Sequence, residues 1–228
     1  MAKRKQKREE TLVDIVEARE QAQNFFEQHQ LKIIGVIAAI LVIIGGYYAY
    51  KYLYQIPKQA EAEEQIFQAQ VQFERDSFVL ALENPGGGYP GFLDIVSDYK
   101  GTPAANSARY YAGISYLNLG RYDDAEEYLS KFKPVGKITP IMKFGALGDI
   151  YSERGDMNKA LSMYKKAGSV NDNDFLAPYY LNKYALLSLK QGDNANALKT
   201  FKRIKADFPL SSEAQDADKY IARLAASN

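Results

Sequence analysis

The chain has 228 residues, 46% of them apolar and 25% charged, with a formal net charge of +1; this is the composition of a globular protein and not of a disordered one. From Gln55 onward 21 basic residues stand against 22 acidic ones, so no net basic face exists to displace counterions and no nucleic-acid partner is expected. Cysteine is absent and the single histidine is His29, which excludes disulfides and thiolate chemistry and leaves the rest of the chain without the commonest general base and metal ligand.

Residues 1–32 read as a basic tail. Lys3, Arg4, Lys5, Lys7 and Arg8 form a cationic cluster, and Leu12, Ile15, Val16, Arg19 and Phe26 recur at helical spacing, which predicts a helix over 11–30. Such a helix lies on a membrane leaflet, packs on a membrane partner, or extends the element that follows it.

That next element, 33–54, is the most informative in the chain. Between Ile33 and Ile44 nine residues are Ile, Leu or Val, and only Lys51 interrupts the 22-residue stretch. As a helix it is roughly 33 Å long, against a hydrocarbon core of about 30 Å. Lys32 and Lys51 flank it, and Tyr47, Tyr48, Tyr50, Tyr52 and Tyr54 form an aromatic belt at one end, as at a membrane interface. The stretch predicts a transmembrane helix anchored through Ile33, Ile37, Ile40, Ile44 and Tyr48. A buried core helix and a cleaved signal peptide are the rival readings. The run exceeds a signal core, and the A-x-A at Ala60–Ala62 lies too far downstream for cleavage. The N-terminal cations favour a cytoplasmic N-terminus, with the C-terminal part across the membrane.

Residues 55–105 read as a linker helix and a degenerate repeat. Lys58 to Glu83 predicts one helix with Phe67, Val71, Phe78 and Leu82 along a stripe. The Asn84–Gly91 loop breaks it. Phe92, Ile95, Val96 and Tyr99 mark a second helix.

Residues 106–210 are self-similar. Ala112–Gly113, Tyr116, Gly120, Tyr122 and Ala125 align with Leu147–Gly148, Tyr151, Gly155, Met157 and Ala160. Both align with Tyr184–Ala185, Ser188, Gly192, Asn194 and Ala197. The turn glycines are 35 and 37 residues apart. This period resembles the tetratricopeptide repeat, a helix–turn–helix of about 34 residues. Gly113, Gly148 and Ala185 allow close helix approach, while Leu129, Tyr164 and Phe201 are expected to fill the space between repeats. Pro209 stands where the family closes a repeat, although Lys137 and Asp172 replace it in the first two. Residues 211–228 predict a capping helix with Ser211 as N-cap. The fold class expected is therefore all-α: a single N-terminal transmembrane helix followed by a tetratricopeptide-repeat α-solenoid.

In that repeat family the first helix of each unit lines a concave groove. Placed on the pattern, this sequence puts Ser107, Tyr110, Ile114 and Asn118 there, then Met142, Asp149, Ser152 and Glu153, then Tyr179, Asn182, Leu186 and Lys190. Tyrosine and methionine suit an extended protein segment, although the same rings also serve as inter-repeat core. Candidates for chemistry fall short. Gly86-Gly87-Gly88 lacks the strand and Gly-Lys-Ser/Thr of a phosphate loop. Asn171–Asp174 lacks the glycine and glutamate of a calcium loop, and Glu61, Glu63 and Glu64 suit a solvated face. Neither a cofactor, a metal nor an enzymatic activity is expected.

The whole layout resembles the YfgM-like family of bacterial inner-membrane proteins, most closely in Phe92–Val96 and Tyr110–Leu117. The resemblance implies a single-pass inner-membrane protein with a periplasmic C-terminal domain. It implies an ancillary subunit of the Sec translocon, contacting translocon subunits, a PpiD-like chaperone, nascent secreted proteins and membrane lipid. Two other readings share the fold: a scaffold of another envelope assembly (cell division, a secretion machine or outer-membrane biogenesis), and an outer mitochondrial membrane receptor.

Overall fold

The computed structural model describes residues 2–169 and 173–226, with side chains from residue 19 onward except those of residues 21 and 22. The chain divides into two compact units, the first ending at Pro57 and the second beginning at Lys58.

The first unit is helix α1, Ala2–Tyr50, followed by a π-helical turn over Lys51–Gln55. No break separates 11–30 from the apolar stretch, so the expected amphipathic segment belongs to the same helix. The orientation of Leu12, Ile15 and Val16 lies outside the described side chains. A helix long and apolar enough to cross a membrane starts in this unit, and none of its most apolar window is buried. Ile37, Ile40, Ile44 and Tyr48 are all exposed, whereas Ile33 is half-buried. A core helix would be covered by its own chain, and this one is not.

The second unit is entirely helical over its described residues. Helix α2, Ile56–Glu74, ends where Asp76 adopts a left-handed φ of 56°. There the Ser77 N–H donates to Gln72 O at 2.9 Å and the Asp76 N–H to Phe73 O at 3.0 Å. This paired closure ends a helix without glycine. The single helix expected over Lys58–Glu83 is therefore two, with a short α3 over Phe78–Glu83. Of the expected stripe, Leu82 is buried and Phe78 meets Phe73 edge-on, but Phe67 is 59% exposed, while Ile66 and Ala69 are buried and Phe73 packs on the core. In α2 the buried set is one residue out of phase with the bulky one. Helix α4 follows over Phe92–Asp98.

Three helix pairs come next: α5 (Pro103–Asn118) with α6 (Tyr122–Lys131), α7 (Ile138–Glu153) with α8 (Met157–Ala167), and α9 (Leu176–Lys190) with α10 (Asn194–Asp207). Each first helix closes identically. Gly120, Gly155 and Gly192 have φ of 72°, 79° and 79°, and the next residue's N–H reaches back five residues, from Arg121 to Tyr116, Asp156 to Tyr151 and Asp193 to Ser188. Asp156 and Asp193 then cap the second helices, accepting from the Lys159 and Asn196 N–H groups. Thr102 caps α5 in the same way, with Pro103 at its first position. Helix α11, Ser212–Ala226, starts from Ser211, whose Oγ accepts from the Ala214 N–H at 3.1 Å.

Within a pair the helices touch through the small residues. A Cβ on Gly113 would lie 2.5 Å from Leu129 Cγ, and one on Gly148 would lie 2.5 Å from the Tyr164 ring. Leu129 and Tyr164 thus fill the close approach inside their own repeat, and both also reach the next pair, Leu129 in one core cluster with Leu147 and Ile150 and Tyr164 stacked on Tyr180. Tyr110 and Tyr111 sit in the middle of α5. Tyr111 stacks on Phe92 at 5.2 Å and meets Phe73 at 5.1 Å, which joins α2 and α4 to the first pair.

Candidate functional site

A groove of about 670 Å³ crosses the three pairs. Leu117 and Asn118 from the end of α5 and Tyr122 from α6 form one end. Asp149, Ser152 and Glu153 from α7 and Tyr164 from α8 form the floor. Lys183, Leu186, Leu187 and Lys190 from α9 form the far wall. The C-terminal halves of all three first helices therefore meet at one concavity. Repeating the same turn brings corresponding residues of each repeat to one surface.

Its centre is an ionic cluster. Asp149 Oδ1 accepts from Lys183 Nζ at 2.7 Å and from the Tyr164 hydroxyl at 2.7 Å. The ammonium also stands 5.0 Å from the Tyr179 ring, 5.7 Å from Tyr164 and 5.9 Å from Tyr180, within cation–π range of all three. Burial depresses the Lys183 pKa, but the hydrogen bond and charge of Asp149 outweigh it, so the net shift is upward. Burial, then the hydrogen bond to Asp149, pushes the Tyr164 phenol well above its ordinary range; burial and the charge of Asp149 do the same to Tyr180. The shifts act together: Lys183 is held in its charged form and the Tyr164 and Tyr180 phenols beside it in their neutral form.

Removing its anion is the simplest perturbation. Asp149→Ala leaves Lys183 and Tyr164 each without the acceptor they share. Lys183 is partly exposed, so water replaces some of its loss, whereas Tyr164 is buried. The expected cost is about 1 kcal/mol, and Asp149→Ala/Lys183→Met should recover part of it. Denaturant titration of the full chain in detergent measures both.

The phenols also set an alkaline limit. Burial, with Tyr111 beside it, raises Tyr110 to about 12, and burial with the hydrogen bond to Glu126 raises Tyr151 to about 12. An unfolded tyrosine titrates near 10, so above that pH the unfolded chain releases protons that the folded chain retains. Stability is fully present below about pH 10 and declines as pH rises toward 12. Absorbance titration should show these phenolates appearing together with unfolding and not before it.

Of the groove residues expected from sequence, Asn118, Asp149, Ser152, Glu153, Leu186 and Lys190 line the concavity. Tyr110 does not: its ring packs 5.4 Å from Phe132 and 5.8 Å from Tyr111, against the core. Ile114 packs on the same core, and Met142 is half-buried outside the groove lining. Tyr179 touches the groove only through Lys183. Asn182 is not part of the lining, and its Oδ1 is buried with no hydrogen-bond partner among the described residues. Sequence reasoning missed Tyr164 and Lys183 as groove residues and Tyr180 as their neighbour. One signal was available: Gly145 precedes Gly148 by one turn, and two glycines in one helix mark two close approaches. The Gly86–Gly88 loop is a turn of three left-handed glycines. Asn173 caps α9 through the Phe175 and Leu176 N–H groups, while Asn171 and Asp172 lie outside the described residues. Among the described residues no three His, Asp or Glu side chains converge as metal ligands.

No curated protein is significantly similar to the chain. Family models described as tetratricopeptide repeat match residues 107–133, 144–176 and 183–211, which fall on the three helix pairs that build the groove. The chain thus carries tetratricopeptide repeats, the units of a protein–protein interaction scaffold.

Proposed function

We propose that this chain is a non-catalytic scaffold tethered to a membrane by its apolar helix, and that its groove holds an extended segment of a protein partner. The observation that carries the reading is the groove itself. Leu117, Leu186 and Leu187 supply apolar contact, Asn118 and Ser152 supply hydrogen-bonding groups, and exposed Glu153 and Lys190 set opposite charges at the rim. The lining mixes apolar side chains with polar and charged ones, and directed polar groups beside apolar contact fix the register of a bound chain. The uncovered apolar stretch of α1, flanked by Lys32 and Lys51, supports a single-pass anchor, and the cationic N-terminus supports a cytoplasmic start with a periplasmic array. The resemblance in layout to YfgM-like proteins supports a place beside the Sec translocon. There the array would meet a partner chaperone and secreted chains as they emerge.

Photo-cross-linkers at Asn118 and Leu186, with Lys202 on an exposed position of α10 as the control, test this in intact bacterial cells. Adducts to translocon subunits, a chaperone or nascent chains from the first two positions, and none from Lys202, are the expected result. Adducts only to cell-division, secretion-machine or outer-membrane-biogenesis proteins would assign the scaffold to another envelope assembly. Silence from both groove positions would remove the groove from the function.

A further inference from the structure

The two edges of the repeat array differ in chemistry. At one edge lie the turns within each pair, built from Gly120–Arg121, Gly155–Asp156 and Gly192–Asp193. At the other lie the loops between successive pairs. There Val135 is 76% exposed, Ile138 51%, Phe175 82% and Leu210 97%. A lone exposed hydrophobe is ordinary. Here each of three successive, equivalent loops presents at least one, whereas the three turns opposite offer Leu119 at 37%; the short α3 on that side adds Val79 at 54% and Leu80 at 48%.

These side chains are held out by ordered backbone. Asn106 exchanges two hydrogen bonds with the Lys133 backbone, at 2.8 and 2.9 Å, which pins the loop carrying Val135. Asn173 caps the helix behind Phe175, and the Ser211 hydroxyl donates to Phe208 O behind Leu210. Phe175 and Leu210 also line one cavity of about 510 Å³, so the last two loops are contiguous.

The array is joined to the apolar helix at this same edge. Gln59 Oε1 accepts from the Ala104 N–H at 3.1 Å, and the Tyr99 hydroxyl donates to Glu61 at 2.8 Å. Both bonds place the start of α2 beside the loop between α4 and α5. Five peptide units separate Tyr54 from Gln59, and these span at most about 18 Å even when fully extended. Lys100, Lys133 and Lys137 stand on the loops nearest the tether and complement anionic headgroups; around Phe175 and Leu210, where Asp174, Asp207 and Glu213 line the shared cavity, apolar contact and not charge carries the docking.

We infer that this edge is a lipid-docking surface, with Val135, Ile138, Phe175 and Leu210 seated in the interfacial region of the bilayer that holds the anchor. The inference rests on the membrane-tether reading. It implies that the array lies with its inter-repeat loops against the bilayer and its intra-repeat turns toward water.

The chain has no tryptophan, so each introduced one is a sole reporter. Full-length Val42→Trp, Phe175→Trp, Leu210→Trp and Leu119→Trp are reconstituted separately. The vesicles contain roughly three parts phosphatidylcholine to one part phosphatidylglycerol and are prepared in two forms, with bromine near the acyl chain ends to read position 42 at the bilayer centre, or on the acyl carbons nearest the headgroup to read positions 119, 175 and 210. Side chains about 5–10 Å deep should lose about half or more of their emission. Quenching is expected at positions 42, 175 and 210, with position 119 unquenched. Quenching at 42 alone, with 175 and 210 behaving like 119, overturns the docking surface and leaves the anchor standing. An unquenched position 42 overturns the anchor reading and the docking surface with it.

Discussion

Phe201→Ala is expected to lower the unfolding free energy by about 3–5 kcal/mol, the range for emptying an aromatic site in a closed core. Phe201 is fully buried, and its ring lies 4.6 Å from the Tyr220 ring with only 4° between their planes. It stands in the last core cluster among Leu181, Ala185, Ile204 and Leu224, so it joins α9, α10 and α11 at once. A solenoid end exposes an apolar face unless a polar-backed helix covers it, and α11 provides that cover through Ala214, Ala217 and Leu224. Removing the ring leaves a cavity and also frees the cap. Denaturant unfolding of the full chain should show the loss. Hydrogen exchange should show α11 amides losing protection before those of α5. A loss below about 1 kcal/mol, inside the range for an exposed site, would mean that α11 docks without this ring.

The repeat was legible because its signals are local and periodic. A glycine that must adopt positive φ at the end of each first helix, and a small residue seven positions before it, recur in register at Gly113, Gly148 and Ala185. Each has a fixed steric meaning. The apolar stretch of α1 was legible for a similar reason, since its meaning depends only on length and composition. The break after α2 was not. Arg75-Asp76-Ser77 contains neither glycine nor proline, and only the left-handed φ of Asp76 reveals the closure. The buried face of α2 was misplaced at Phe67 because that ring is bulkier than Ile66 and Ala69, which are the buried ones. Packing selects for fit at a close approach, and the smaller residues fit there. The ionic cluster was illegible for a different reason. Asp149, Tyr164 and Lys183 are separated by 15 and 34 residues along the chain, and they meet only once the stacking angle of adjacent pairs is fixed. Periodicity assigned Asp149 to the concave surface but could not supply its partners.

Gly145→Ala should cost about 2–3 kcal/mol, the upper part of the range for overpacking a filled core, even though alanine is the better helix former by about 1 kcal/mol. A Cβ at position 145 would lie 2.0 Å from Tyr180 Cζ and 2.3 Å from its hydroxyl oxygen. The ring cannot simply yield, because Tyr164 stacks 6.3 Å away and Tyr179 lies edge-on at 5.0 Å. Displacing Tyr180 therefore disturbs the aromatic wall around Lys183 as well as the seam between α7 and α9. The clash predicts strong non-additivity. Tyr180→Ala alone opens a cavity, but Gly145→Ala/Tyr180→Ala should be no less stable than Tyr180→Ala, because the new methyl then enters vacated space. If the two losses instead add, the Gly145 site acts through helix propensity or the unfolded state and not through the ring. The same pair separates stability from recognition. Cross-linking from Leu186 in Gly145→Ala, under conditions where the chain stays folded, should fall if the partner reads the groove that Lys183 and its tyrosines shape. It should be unchanged if the partner is held elsewhere on the array.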